Sequence, residues 1–161
     1  MISELSNIQN IRAASRLMVR ELGFMNQNLA ATDYPPSAVH AMLEIETHGS
    51  LTAAQLVQVL GLEKSSVSRM LAKLVKAGEL KESPSAEDAR TKRLSLTGKG
   101  METVHNINTY ADQRVGAALG KLDPFTQQTV LQGLSSYASA LKACRERIEG
   151  KVCNSFKIVT G

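Results

Sequence analysis

Arg90, Lys92 and Arg93 fall within four consecutive positions, and Lys99 follows with no acidic residue between Arg90 and Lys99. Cations grouped without intervening acids raise a local positive potential, and the chemistry this supports is the binding of a polyanion. Upstream, Ser65, Ser66, Ser68, Arg69, Lys73 and Lys76 lie opposite Val67, Met70, Leu71, Leu74 and Val75, whose spacing marks one side of a helix. Small hydroxyls and cations on one helical face suit contacts to base edges and phosphates. The charge is concentrated: residues 63–93 hold 8 basic and 5 acidic residues, net +3, whereas residues 1–62 hold 3 and 5, net −2.

Other chemistries find little support. His40, His48 and His105 are scattered rather than set at helical spacing beside a carboxylate, so no catalytic residue and no metal site is expected, and no cofactor either. Cys144 and Cys153 make neither a Cys-x-x-Cys nor a disulfide framework. Aromatics are 4% of the chain and tryptophan is absent, which argues against a stacking platform for single strands. With 43% hydrophobic and 21% charged residues the composition is that of a globular protein. No apolar run reaches the roughly 18 residues of a membrane span, and Met1-Ile2-Ser3-Glu4 lacks a secretory n-region, so a cytoplasmic protein is expected.

The elements that position these residues are mostly helical. Ile2, Leu5, Ile8, Ile11, Met18 and Leu22 predict an amphipathic helix over 2–22. The Thr32–Pro36 turn opens a second helix over 35–47 with Ala38, Val39, Met42, Leu43 and Ile45 inward, ended by His48-Gly49. Thr52-Ala53-Ala54-Gln55 has the form of a capping box and predicts a short helix with Leu56, Val59 and Leu60 inward, stopped at Gly61. A helix over 64–77 follows at once, so the pair reads as a helix-turn-helix. After Gly78 the period changes to 2, and two strands with a loop near 85–91 predict a β-hairpin wing. Arg90 at its tip suits the minor groove, and Asp88 is expected to hold Arg90 in position. Thr97-Gly98-Lys99-Gly100 caps a helix over 99–121 with Val104, Ile107, Ala111, Val115, Ala118 and Leu122 inward. Asp123-Pro124 then starts a last helix to about 149. Its Val130, Leu134, Tyr137, Leu141, Cys144 and Ile148 form a heptad seam, which with the N-terminal helix suggests a lobe completed by a second copy of the chain.

The Ser65–Leu71 helix, Lys76-Ala77-Gly78-Glu79-Leu80 and above all the run from Asp88 through Arg90 to Leu96-Thr97-Gly98-Lys99-Gly100 resemble the MarR family of winged helix-turn-helix regulators. The resemblance covers about residues 1–149. It implies a mainly α fold with a small β-hairpin wing: a winged core over about 35–100 and dimerisation helices over about 1–22 and 99–149. It further implies a homodimeric transcription regulator, a ligand-responsive repressor, that places two recognition helices in successive major grooves of a pseudo-palindromic operator in double-stranded DNA. Carried over by position, Ser65, Ser66, Ser68, Arg69 and Lys73 face bases and phosphates and Arg90 the minor groove. Thr97 and Lys99 meet the backbone, and Asp88, Lys92 and Arg93 of the wing count among the DNA-binding residues. Such regulators commonly answer a small anionic or phenolic effector bound between the dimer lobe and the DNA lobe. Glu63 stands where a capping serine or threonine is common, which leaves the start of the recognition helix open.

Three rival readings follow from other residues. Beyond Gly150 the helical period gives way and Phe156, Ile158 and Val159 alternate, so 150–161 is expected to be an irregular tail or linker. This stretch is similar to the junction in proteins that fuse a MarR-like domain to an N-acetyltransferase, and the chain would then be the DNA-binding half of a bifunctional protein. Cys144 reads as a packed thiol on the seam, and the rival is a redox-sensing thiol at Cys144 or Cys153. A winged module that binds protein instead of DNA would show no salt-dependent DNA binding.

Overall fold

The computed structural model describes residues 4–25, 28 and 30–157, and their side chains at 6–25, 28 and 30–147. In chain order the elements are α1 (Glu4–Glu21), α2 (Pro36–His48), β1 (Leu51–Thr52), α3 (Ala53–Leu60), α4 (Lys64–Lys76), β2 (Leu80–Pro84), β3 (Lys92–Leu96), α5 (Gly98–Leu119) and α6 (Pro124–Lys157). The chain forms two compact units, 1–113 and 114–161, with the boundary inside α5. This is a winged helix-turn-helix: α3 and α4 are the helix pair, and β2 and β3 the wing.

Local chemistry sets the boundaries. Pro36 takes the first turn of α2, where its missing N–H costs nothing. The capping box at α3 forms as expected, with Thr52 Oγ1 accepting from Gln55 N at 3.2 Å and Gln55 Oε1 accepting from Thr52 N at 2.9 Å. Gly61 closes α3 in the left-handed region. The sheet order is β1-β3-β2, antiparallel throughout, with Leu80 opposite Leu96 and Glu82 opposite Leu94. The two-residue β1, absent from the sequence expectation, pairs Leu51 with Leu94 and Thr52 with Arg93.

The core of the first unit joins α2, α3, α4, the sheet and the first half of α5: Val39, Met42, Ile45, Leu56, Val67, Leu74, Leu94, Val104 and Ile107 are all buried. Several expected inward residues lie outside it. Val59 is exposed because Leu56 alone of α3 is fully covered in so short a helix, with Leu60 half-buried. Past Ile107 the α5 helix leaves the core, so Ala111, Val115, Ala118 and Leu122 are exposed. In α6, Leu134, Tyr137, Leu141 and Cys144 are exposed in the single chain, as are Ile8, Ile11 and Met18 of α1 and Leu22 just after it.

Asp123 starts α6 as expected, accepting from the Thr126 backbone N–H at 3.0 Å and from its hydroxyl. The helix runs on to Lys157 instead of ending at 149. A single Gly150 costs a helix only about 1 kcal/mol relative to alanine, and no proline follows to stop it. Residues 150–157 are therefore helical rather than an irregular tail, and Phe156 lies in a helix, not a strand. Ile158, Val159 and the rest of the expected tail lie outside the described residues, as does the side chain of Cys153. Among the described residues no helix is long and apolar enough to cross a membrane.

Candidate nucleic-acid interface

The second helix of the pair, α4, buries Val67, Leu71 and Leu74 and half-buries Met70 and Val75. That apolar stripe turns Ser65, Ser66, Ser68, Arg69 and Lys73 outward, and all five are exposed. Among the described residues nothing pairs with the Arg69 guanidinium or the Lys73 ammonium. Glu63 precedes α4 in an extended conformation and its side chain makes no cap, so the first-turn N–H groups point out of the helix without a side-chain acceptor. Such groups, at the positive end of the helix, suit phosphate oxygens.

The tip of the wing presents a further exposed cation, Arg90. Asp88 Oδ1 accepts from the backbone N–H of Arg90 at 2.9 Å, and Oδ2 from the Thr91 hydroxyl at 3.2 Å. Asp88 therefore holds Arg90 through the main chain of the turn, not through an ion pair with the guanidinium, which stays exposed and unpaired among the described residues. Ser85 N donates to Thr91 O at 2.8 Å and closes the tip.

The remaining expected residues are engaged inside the unit. Lys92 Nζ sits 2.7 Å from Glu82 Oε2 across the hairpin. Arg93 donates through Nε to Ser50 Oγ at 2.8 Å and through a terminal nitrogen to Ser50 O at 2.7 Å, locking β3 to the chain before β1. Thr97 Oγ1 donates to Gly78 O at 2.5 Å and accepts from Gly100 N at 3.0 Å, which makes it the cap of α5. Lys99 Nζ donates to Ala77 O at 2.6 Å and lies 3.3 Å from Glu79 Oε1.

Two residues that the sequence reading passed over organise this end of α4. Glu79 is 1% exposed, and its Oε1 accepts from the Tyr34 hydroxyl at 2.7 Å. Burial pushes the Glu79 carboxyl up, but the hydrogen bond from the Tyr34 hydroxyl, the nearby Thr103 hydroxyl and the ammonium of Lys99 outweigh it and hold the carboxyl below its ordinary 4.5. Burial first, and then the bond to Glu79, push the Tyr34 phenol up to about 12. Because the folded pKa of Glu79 lies below the unfolded one, its contribution to stability is full above about pH 4.5 and is lost as pH falls through the folded value. Urea midpoints of the native chain and Glu79→Gln are therefore expected to converge on acidification. A gap that stays constant from neutral pH into acid would contradict this.

A cavity of about 460 Å³ opens between α4 and the segment leading into α2, lined by Tyr34, Pro35, Ser66, Arg69, Met70 and Lys73 among others. Its wall thus shares Ser66, Arg69 and Lys73 with the outward face of α4. Among the described residues no group of three or more His, Cys, Asp or Glu is placed to hold a metal ion.

The sequence of MarR family proteins matches this chain over residues 32–91, from the Thr32 turn through the wing tip. This segment belongs to the MarR family. The chain is also similar to PapX of Escherichia coli, described as an HTH-type transcriptional regulator, being 36% identical over 76 residues. Those residues are 45% of this chain and 46% of PapX, so the chain spans about half the length of that relative. Among solved structures, RV1404 from Mycobacterium tuberculosis superposes with a TM-score of 0.69 at 20% identity, over 87% of this chain and 95% of that one. BpsR of Bordetella bronchiseptica, whose DNA binding is regulated by 6-hydroxynicotinic acid, gives 0.64 at 17% identity, over 81% and 98%. At such identities the structures establish the fold, and they extend it on both sides of the MarR segment.

Proposed function

We propose that this chain is a transcription regulator that binds double-stranded DNA, with α4 in the major groove and the wing tip in the adjacent minor groove. The observation that carries this reading is the exposed, unpaired Arg69 and Lys73, set among Ser65, Ser66 and Ser68 on the outward face of the second helix of a MarR-family helix-turn-helix. Arg90 supplies the minor-groove contact, on a turn ordered by Asp88. Lys92, Arg93, Thr97 and Lys99 act as the scaffold of this surface, because each is already bonded within the unit.

The working form is a homodimer on a pseudo-palindromic operator, acting as a cytoplasmic repressor. The apolar residues of α1 and α6 left exposed in the single chain support it, since burying such stripes against a second copy removes them from water. Dimerisation doubles the recognition helices and matches their two-fold relation to that of the operator. An effector fits the same account. A small anionic molecule in the cavity beside α4 would engage Arg69 and Lys73 and so compete for the cations that DNA needs.

Fluorescence anisotropy with labelled duplexes tests the reading. Affinity is expected to fall linearly on a log–log plot against salt, as counterions return to the phosphates. Arg90→Ala is expected to cost most on A·T-rich flanks, where the narrow minor groove has the most negative potential. A loss indifferent to flank composition would remove the minor-groove assignment.

A further inference from the structure

We propose that Glu79 is a positioning residue for DNA recognition, fixing the C-terminal end of α4 against the loop before α2 through Tyr34 and against the start of α5 through Lys99. The inference rests on the reading of α4 as the helix that meets DNA.

The position is unusual for a carboxylate. After α4, Gly78 adopts φ 77°, its N–H bonds to Val75 O at 3.0 Å, and Glu79 N bonds to Leu74 O at 3.0 Å. In this pattern of helix termination the residue after the left-handed glycine is ordinarily apolar and packs back on the last turn. Here it is a buried glutamate, the one buried charged residue among those described. It is out of water and at the negative end of the helix dipole, and both effects oppose a carboxylate. Its Oε2 has no partner within hydrogen-bonding distance among the described residues, although Thr103 stands close enough to favour the charged form. Glu79→Leu together with Tyr34→Phe would avoid these costs, since replacing both members of a buried polar pair with packed apolar groups is often neutral or stabilising.

What the carboxylate gains is a junction. Tyr34 Oη and Lys99 Nζ converge on the same Oε1, and Lys99 also donates to Ala77 O just past the end of α4. The main chain joins in, with Thr97 N donating to Glu79 O at 3.0 Å. On the other side, Tyr34 ends a segment in which Ala30 and Ala31 both take positive φ, 53° and 56°. Consecutive alanines in that region are strained and persist only where their surroundings hold them. Three segments that are remote in sequence thus meet at one side chain, which is itself buried from solvent. The ammonium of Lys99 is engaged at this junction.

The test compares wild-type protein, Glu79→Leu, Tyr34→Phe and the double variant in anisotropy titrations against a selected operator and a random duplex, with thermal melts of each. Glu79→Leu is expected to lose about tenfold in operator affinity, with random-duplex affinity little changed, and the double variant, in which neither partner is left unpaired, to melt at or near the wild-type temperature. Tyr34→Phe is expected to lose part of this, and to add nothing further in the Glu79→Leu background, because both act through one bond. A residue that served folding alone would leave the operator-to-random ratio where it was. A folded Glu79→Leu protein with the wild-type ratio overturns the proposal. If Glu79→Leu does not fold, a wild-type ratio in Tyr34→Phe, which keeps the ring and deletes one O–H, overturns it instead. A wild-type chain that binds neither duplex removes the DNA-binding reading and this proposal with it, whereas operator binding that is unaffected by these substitutions removes only the proposal.

Discussion

Gly100→Ala is expected to destabilise the first unit by about 3 kcal/mol, the upper end of ordinary overpacking, and to lower its melting temperature by about 6–12 °C. The third residue of α5 is buried against the turn that ends α4, and a Cβ there would overlap the Glu79 carbonyl oxygen and come within 3.1 Å of Leu96 Cδ2. The carbonyl cannot swing aside, because it accepts from Thr97 N and bounds the same turn in which Thr97 Oγ1 holds Gly78 O. Either α5 or the recognition helix must shift, so DNA affinity should fall together with stability. Gly116→Ala is the control: it lies in the same helix with nothing near its would-be Cβ, and it should stabilise by up to about 1 kcal/mol. Equal melting temperatures for the Gly100→Ala and native proteins would show that the α4–α5 contact yields easily, and the positioning of α4 would then need another explanation.

The second large effect is expected at Arg69. Arg69→Ala should cost about 1–3 kcal/mol on the cognate operator while changing random-duplex binding much less, if its guanidinium reads a base edge. Because Arg69 is exposed and unpaired among the described residues, stability should stay within about 0.5 kcal/mol of the native value. The loss would therefore report on the interface and not on folding. Equal losses on operator and random DNA would assign Arg69 to phosphate instead. Arg69 also lines the cavity beside α4, so the same variant should weaken the competition between an anionic effector and DNA.

Much of this architecture is visible in local patterns. The capping box at Thr52 and Gln55, the stop at Gly61, the N-cap at Asp123 and the outward row on α4 each depend on residues within one or two turns of each other. The wing was legible because the period changes abruptly from 3.6 to 2 after Gly78. What was not legible depends on distant partners. The strand Leu51–Thr52 is too short to show alternation and exists only because β3 pairs with it. Arg93 looks like a member of a basic run, yet Ser50, 43 positions away, takes its guanidinium. Tyr34 and Glu79 are 45 residues apart, and only the fold brings the hydroxyl to the carboxylate. A local sign of Glu79 did exist, a charged residue where a helix-ending glycine is normally followed by an apolar one. In α6 the helical period fades beyond Gly150, which suggests an end near 149, yet a long helix absorbs one glycine and α6 runs on to Lys157.

The most direct test of the central claim is selection from a genomic DNA pool by the full chain across a salt titration, with sequencing of the bound fraction. The account predicts enrichment of one pseudo-palindrome with half-sites about one helical turn apart, retained to higher salt than the bulk of the pool. Retention without enrichment, or no salt-dependent retention at all, would contradict it.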